Sequence, residues 1–118
     1  AAPEYCHFGD KTKGTAPCGS LKPNPFGLYD MGGNSAEWCN DWLGEYPSGE
    51  QQNPTGPSSG QARVLRGGSW RHPAKAMRSA LRFGQYPYER HHCAGGFQVY
   101  GDGYERPGLR IARGVIPE

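Results

Sequence analysis

The sequence predicts an α+β domain that is irregular and loop-rich, with short strands and few helices around a thin core. Three observations lead there. The 118 residues include 19 glycines and 11 prolines, a share near the range where regular structure gives way to loops. Only 35% of the residues are hydrophobic. Yet three Trp, seven Tyr and four Phe are present, too many aromatics for a disordered chain. The length suits a single domain over 1–118. A core this sparse calls for staples such as disulfides or bound ions.

The elements follow in chain order. Residues 1–23 are polar and turn-rich, with Cys6 and Cys18 bracketing "HFGDKTKGTAP". In "NPFGLYDMGGNSAEWCNDW", two carboxylates, Asp30 and Glu37, flank a Gly32–Gly33–Asn34 turn, and Trp38 and Trp42 follow at helical spacing. That spacing predicts a short helix over 35–43, with Asn34 or Ser35 as its N-cap. Residues 44–62 lack apolar periodicity and read as a long surface loop. "RVLR" reads as a strand, Arg63–Arg66, ended by a Gly67–Gly68 bend. A short helix is expected near "AKAMRSALRF", a loop over 83–95, and strands at "GFQVY" and "LRIARGVI".

Charge narrows the function classes. Residues 1–60 carry three Lys/Arg against seven Asp/Glu, and residues 61–118 carry ten against four. The basic half spreads Arg63, Arg66, Arg78, Arg82 and Arg110 among apolar residues instead of clustering them on one face. That pattern fits structural ties and excludes a nucleic-acid surface. No apolar run approaches the ~18 residues of a membrane span, and no charged-then-apolar leader is visible. The glycine-rich pieces lack the lysine and spacing of a phosphate loop.

Four cysteines, Cys6, Cys18, Cys39 and Cys93, allow three pairings. Cys6–Cys18 is the natural local pair, worth about 3 kcal/mol on the chain-entropy account. Cys39–Cys93 would then tie the Asp30–Glu37 region to the 83–95 loop. Free thiols are the alternative. Disulfides would place the chain in an extracellular, cell-surface or periplasmic setting.

Five blocks occur in one order: "PNPFGLYDMGGN", "EWCNDW", "RVLRGGSW", "RSALR" and "GGFQVY". Together they resemble the C-terminal half of the formylglycine-generating-enzyme (sulfatase-modifying factor) domain, over about residues 17–100. The resemblance implies a C-type-lectin-like fold. The family domain is about twice this length, so the resemblance implies a fragment, a half completed by another chain, or a reduced version of the domain. In the family the turn before the tryptophans binds a calcium-like cation. Its ligands map onto the Asp30 side chain, the Gly33 and Ser35 carbonyls and the Glu37 side chain. Hard cations prefer such oxygen sets. The plainer alternative has Asp30 capping the turn and Glu37 paired with an arginine. The enzyme's copper-binding cysteine pair should lie just beyond "GGSW", but this chain reads "RHPAKAMRSALR" there. Without thiolates no copper is expected.

The resemblance extends to the variable proteins of diversity-generating retroelements. These keep "RVLRGGSW", "RSA.R" and "GFRV" and vary the residues between. It implies a non-catalytic module that binds a protein or small-molecule ligand through loops 71–77 and 81–95. The candidate contact residues are Arg71, His72, Lys75, Leu81, Phe83, Tyr86, Tyr88, Arg90, His91 and His92. Exposed aromatics with Arg and His suit recognition. Alternatives are a formylglycine-generating or related oxygen-dependent enzyme, and a structural subunit completed by another chain.

Overall fold

The computed structural model describes residues 3–9, 14–87 and 107–111, together with the backbone of residues 93–94. Its regular part is one antiparallel sheet of four strands in chain order, β1 (Glu37–Trp42), β2 (Arg63–Arg66), β3 (Phe83–Gln85) and β4 (Cys93–Ala94). One 3-10 turn, Ala74–Met77, lies between β2 and β3. Few helices, short strands and long irregular connections are what the composition predicts.

The β2 strand and its glycine bend appear as expected, with Gly67 and Gly68 both at positive φ. The helix expected over 35–43 is instead β1. A spacing of four residues brings Trp38 and Trp42 to one face of a helix, but it also fits the two-residue period of a strand. The pairing partner therefore decides: Glu37 lies opposite Arg66, Trp38 opposite Leu65, and Trp42 opposite Arg63 after a shift of register. Asn34 caps nothing. Its buried side chain bonds both the N–H and the carbonyl of Ala16, at 2.8 and 3.1 Å.

The expected loop over 83–95 is also corrected, because it contains β3 and β4. Phe83 pairs with Leu65, and Gly84 with Val64. Glycine and glutamine in β3 hide the apolar alternation by which a strand is usually read. The helix expected near "AKAMRSALRF" shrinks to the single 3-10 turn, since Arg78 is already extended at φ −71, ψ 143. The strand expected at "GFQVY" lies outside the described residues. Of "LRIARGVI", residues 109–111 are described and join no strand. Residues 44–62 form the expected surface loop, exposed from Glu45 to Gln61.

The core is thin, with Ala36, Leu65, Ala76 and Phe83 packing together and Trp38, Met77 and Leu81 against them. Arginines supply ties around it, as their dispersal suggests. Arg66 Nη1 donates to the Ser79 carbonyl at 2.6 Å, and Arg82 Nη2 to the Gly44 carbonyl at 3.0 Å. Arg63 donates to the Asn40 carbonyl while lying over the Trp42 ring, and Arg82 lies over Tyr46. Two further backbone bridges close the fold: His7 pairs with Gly33, and Gly108 with Glu37.

Candidate functional site

Two regions carry the candidate residues. The first is the turn that leads into β1. Asp30 and Asn34 both adopt positive φ, 52 and 58°, and Gly33 sits at 81°. Asp and Asn tolerate this region better than most residues. Gly33 is obligatory for a second reason, since a Cβ there would run into the backbone of His7. The turn is pinned on both sides: Gly33 N–H donates to the Gly67 carbonyl at 2.8 Å, and Asn34 N–H to the His7 carbonyl at 2.7 Å.

This geometry brings Asp30 and Glu37 to one cavity of about 850 Å³, whose lining also includes Tyr29, Ser35 and Arg110. The Asp30 carboxylate accepts the Gly19 N–H at 2.7 Å. The Glu37 carboxylate takes Arg110 side-on, with Nε at 2.8 Å from Oε2 and Nη2 at 2.7 Å from Oε1. Arg110 Nη2 also donates to the Asp30 carbonyl at 3.0 Å. These hydrogen bonds to Glu37 raise the Arg110 pKa above its ordinary value.

The donor types suit a hard cation, and in this structure Glu37 is paired with Arg110. Both Glu37 oxygens already face the guanidinium. Asp30 tying the turn and Glu37 paired with an arginine is the plainer of the two expectations. The arginine itself was not legible, because it lies 73 residues from its partner and no local pattern marks it.

The second region follows the Gly67–Gly68 bend. Ser69 is fully buried, and its Oγ lies 2.7 Å from His72 Nδ1. The His72 ring stacks on Phe83, with centroids 5.0 Å apart. The buried Ser69–His72 pair ties together the residues that follow the bend. Arg71 lies over the Trp70 ring at 4.7 Å. Of the expected contact residues, Lys75 is exposed, and Arg71, His72, Leu81 and Tyr86 are half-buried. Phe83 is corrected: at 8% exposure it is a core residue, because its strand faces Leu65 across the sheet. Leu81 packs against the same cluster. Tyr88, Arg90, His91 and His92 lie outside the described residues.

Cys6, Cys18 and Cys39 are free thiols, so the expected Cys6–Cys18 bridge is not formed in this structure. The Cys93 side chain lies outside the described residues. Burial raises the Cys6 and Cys39 thiol pKa values above the ordinary 9.0. Among the described residues no helix is long and apolar enough to cross a membrane.

Comparison with known proteins agrees with the motif order. The family described as "Sulfatase-modifying factor enzyme 1-like domain" matches residues 2–100. Treponema denticola variable protein 1 superposes with a TM-score of 0.66 at 40% identity, over 72% of this chain and 32% of that one. The formylglycine-generating enzyme of Bos taurus is 47% identical over 62 residues, covering 52% of this chain and 17% of the enzyme. The serine/threonine-protein kinase pkn1 of Chlamydia pneumoniae is 47% identical over 72 residues, covering 58% of this chain and 12% of the kinase. The chain thus spans a minor part of each of these relatives.

Proposed function

We propose that this chain, which belongs to the sulfatase-modifying factor enzyme 1-like domain family, is a non-catalytic binding module on a C-type-lectin-like scaffold. The observation that carries the reading is its likeness to a variable protein at 40% identity and a TM-score of 0.66. The chemistry of the sequence supports it. No cysteine lies between Trp70 and His92, so the segment beyond "GGSW" offers no thiolate pair for copper. The enzyme reading therefore lacks its metal ligands.

Recognition is assigned to the face that begins at the Gly67–Gly68 bend. Arg71, His72, Lys75 and Tyr86 contribute to it from the described residues; Tyr88, Arg90, His91 and His92, outside the described residues, belong to the proposal by their place in the sequence. Phe83 and Leu81 support that face from below. A rigid sheet carrying variable side chains on its connections is a common way to build a binding surface. The ligand class is a protein or a small molecule, and an extracellular, cell-surface or periplasmic location belongs to the same proposal.

A library randomised at Arg71, Lys75, Tyr86, Tyr88, Arg90, His91 and His92, sorted by protease resistance, tests the reading. Most variants should remain folded, each position changing stability by less than about 1 kcal/mol. A library that is mostly unfolded makes these residues core and removes the binding face. Incubation with copper, oxygen and a cysteine-containing sulfatase peptide should leave the peptide unmodified. Aldehyde formation would restore the enzyme reading.

A second reading, a subunit completed by a partner chain, has one observation in its favour. Phe26, Leu28, Tyr29 and Met31 are exposed large hydrophobics within six residues, Phe26 at 86%. Such a strip is unusual on a free surface. Concentration-dependent self-association that disappears in Phe26→Glu would support an apolar face awaiting cover. Self-association unchanged in Phe26→Glu would count against that strip as the covered face.

A further inference from the structure

We infer that the partner of the recognition face is an acidic protein segment with aromatic residues among its carboxylates, and that Lys75 and Arg78 are its charged contacts. This rests on the binding reading above and names the chemistry of the ligand.

The placement of charge leads to it. No Asp or Glu occurs between Glu50 and Glu89, whereas Arg63, Arg66, Arg71, Lys75, Arg78 and Arg82 all lie in that stretch. The stretch contains β2, the glycine bend, the 3-10 turn and β3. Three of its arginines are fastened to backbone carbonyls: Arg63 to Asn40, Arg66 to Ser79 and Arg82 to Gly44. A carbonyl oxygen carries no net charge, so these bonds position each guanidinium without neutralising it. Lys75 and Arg78 are exposed, on the 3-10 turn and at its C-cap. The ion pairs among the described residues lie elsewhere, at Lys22–Glu4 and Arg110–Glu37. The acids that hold the whole chain to a net charge of +2 thus sit outside this stretch. The connection between β2 and β3 keeps a positive field, which draws and orients an acidic partner.

The rings on the same connection select among acidic partners. The Arg71 guanidinium lies 4.7 Å from the Trp70 ring centroid, and the His72 ring stacks on Phe83 at 5.0 Å. Both side chains are half-buried and held by packing, so binding costs them little further ordering. Tyr86, half-buried just after β3, adds a third aromatic surface. Arginine beside aromatic rings is what protein interfaces concentrate. A bare polyanion would use the charges and leave the rings unused. A segment that carries both carboxylates and aromatic side chains uses both.

Fluorescence anisotropy with three labelled peptides of equal length tests this: alternating Glu and Tyr, all Glu, and alternating Lys and Tyr. The Glu–Tyr peptide should bind, several-fold tighter than the all-Glu peptide, and the Lys–Tyr peptide should not. Its affinity should fall about tenfold as salt is raised well past physiological strength. Lys75→Glu and Arg78→Glu should each weaken it about tenfold. Lys22→Glu makes the same change of charge away from the face and should leave it unaltered. Equal affinity for the Glu–Tyr and all-Glu peptides, or ready displacement of the first by polyphosphate, would overturn the protein segment in favour of polyanions at large. Binding of the Lys–Tyr peptide alone, or of no peptide, would overturn the acidic ligand while a randomised face that stays folded keeps the binding reading. Thermal melts separate the two failures: unfolding of Lys75→Glu or Arg78→Glu would make these residues structural and remove the face itself.

Discussion

Arg110 and Glu37, 73 residues apart, meet through two parallel hydrogen bonds of 2.7 and 2.8 Å, and the same guanidinium reaches the Asp30 carbonyl at 3.0 Å. One side chain thus joins the 107–111 segment, the turn and the first residue of β1. The pair is partly open to water, with side-chain exposures of 34% and 27%. Its energy is correspondingly modest; its two residues line the same cavity as Tyr29 and Ser35.

A double-mutant cycle measures the pair. Arg110→Ala and Glu37→Gln should each cost roughly 1 kcal/mol, with a coupling of about 0.5–1 kcal/mol that shrinks at high salt. Additive effects would show that the two groups do not act together.

Core and face residues should separate cleanly in denaturation experiments. Phe83 is buried between Leu65 and the His72 ring, so Phe83→Ala should cost about 3–5 kcal/mol. Lys75 is exposed on the 3-10 turn, so Lys75→Ala should stay within about 0.5 kcal/mol. A small loss at Phe83 would return that residue to the binding face.

Glycine 33 offers a backbone test. Gly33 and Gly49 share a similar positive φ, 81 and 83°. A Cβ at Gly49 meets open space, whereas at Gly33 it meets the His7 backbone. Gly49→Ala carries only the conformational cost of about 1 kcal/mol. Gly33→Ala should cost clearly more, because the His7–Gly33 bridge must move. Equal losses would mean that His7 does not pack there.

The thiols predict a pH dependence. Burial raises Cys6 and Cys39 above 9.0, so the folded state keeps their protons longer than the unfolded chain does. Their contribution is intact below pH 9 and is lost as pH rises through the raised folded values. Alkaline destabilisation should therefore be milder in a Cys6→Ser, Cys39→Ser variant. In a Cys93→Ser background, alkylation at neutral pH should label exposed Cys18 first, with Cys6 and Cys39 following. Simultaneous labelling of all three would contradict the burial.

Much of the scaffold was legible locally. "RVLRGGSW" announces a strand and a glycine bend because β-branched and aliphatic residues run directly into two residues able to take positive φ. The 44–62 loop is equally plain from its turn formers. The β1 strand was not legible, since the Trp38–Trp42 spacing satisfies helix and strand alike. β3 was hidden by Gly84 and Gln85, whose burial follows from pairing with β2. Among site residues, Asp30 and Glu37 were visible as carboxylates around a glycine turn. Phe83 reads from sequence as a contact residue because aromatic character suits core and binding face equally.

By itself the sequence determined the family, through five motif blocks in order, and the absence of a thiolate pair beyond "GGSW". It also determined the glycine-rich turn geometry, since few other residues tolerate those φ values. Tertiary structure decided what each polar or aromatic group does. That Glu37 pairs with Arg110 depends on the Gly108 bridge to β1, which brings the two together. Whether Phe83 faces ligand or core depends on its register against Leu65. Both outcomes rest on contacts between residues far apart in the chain, which no local pattern of residue types encodes.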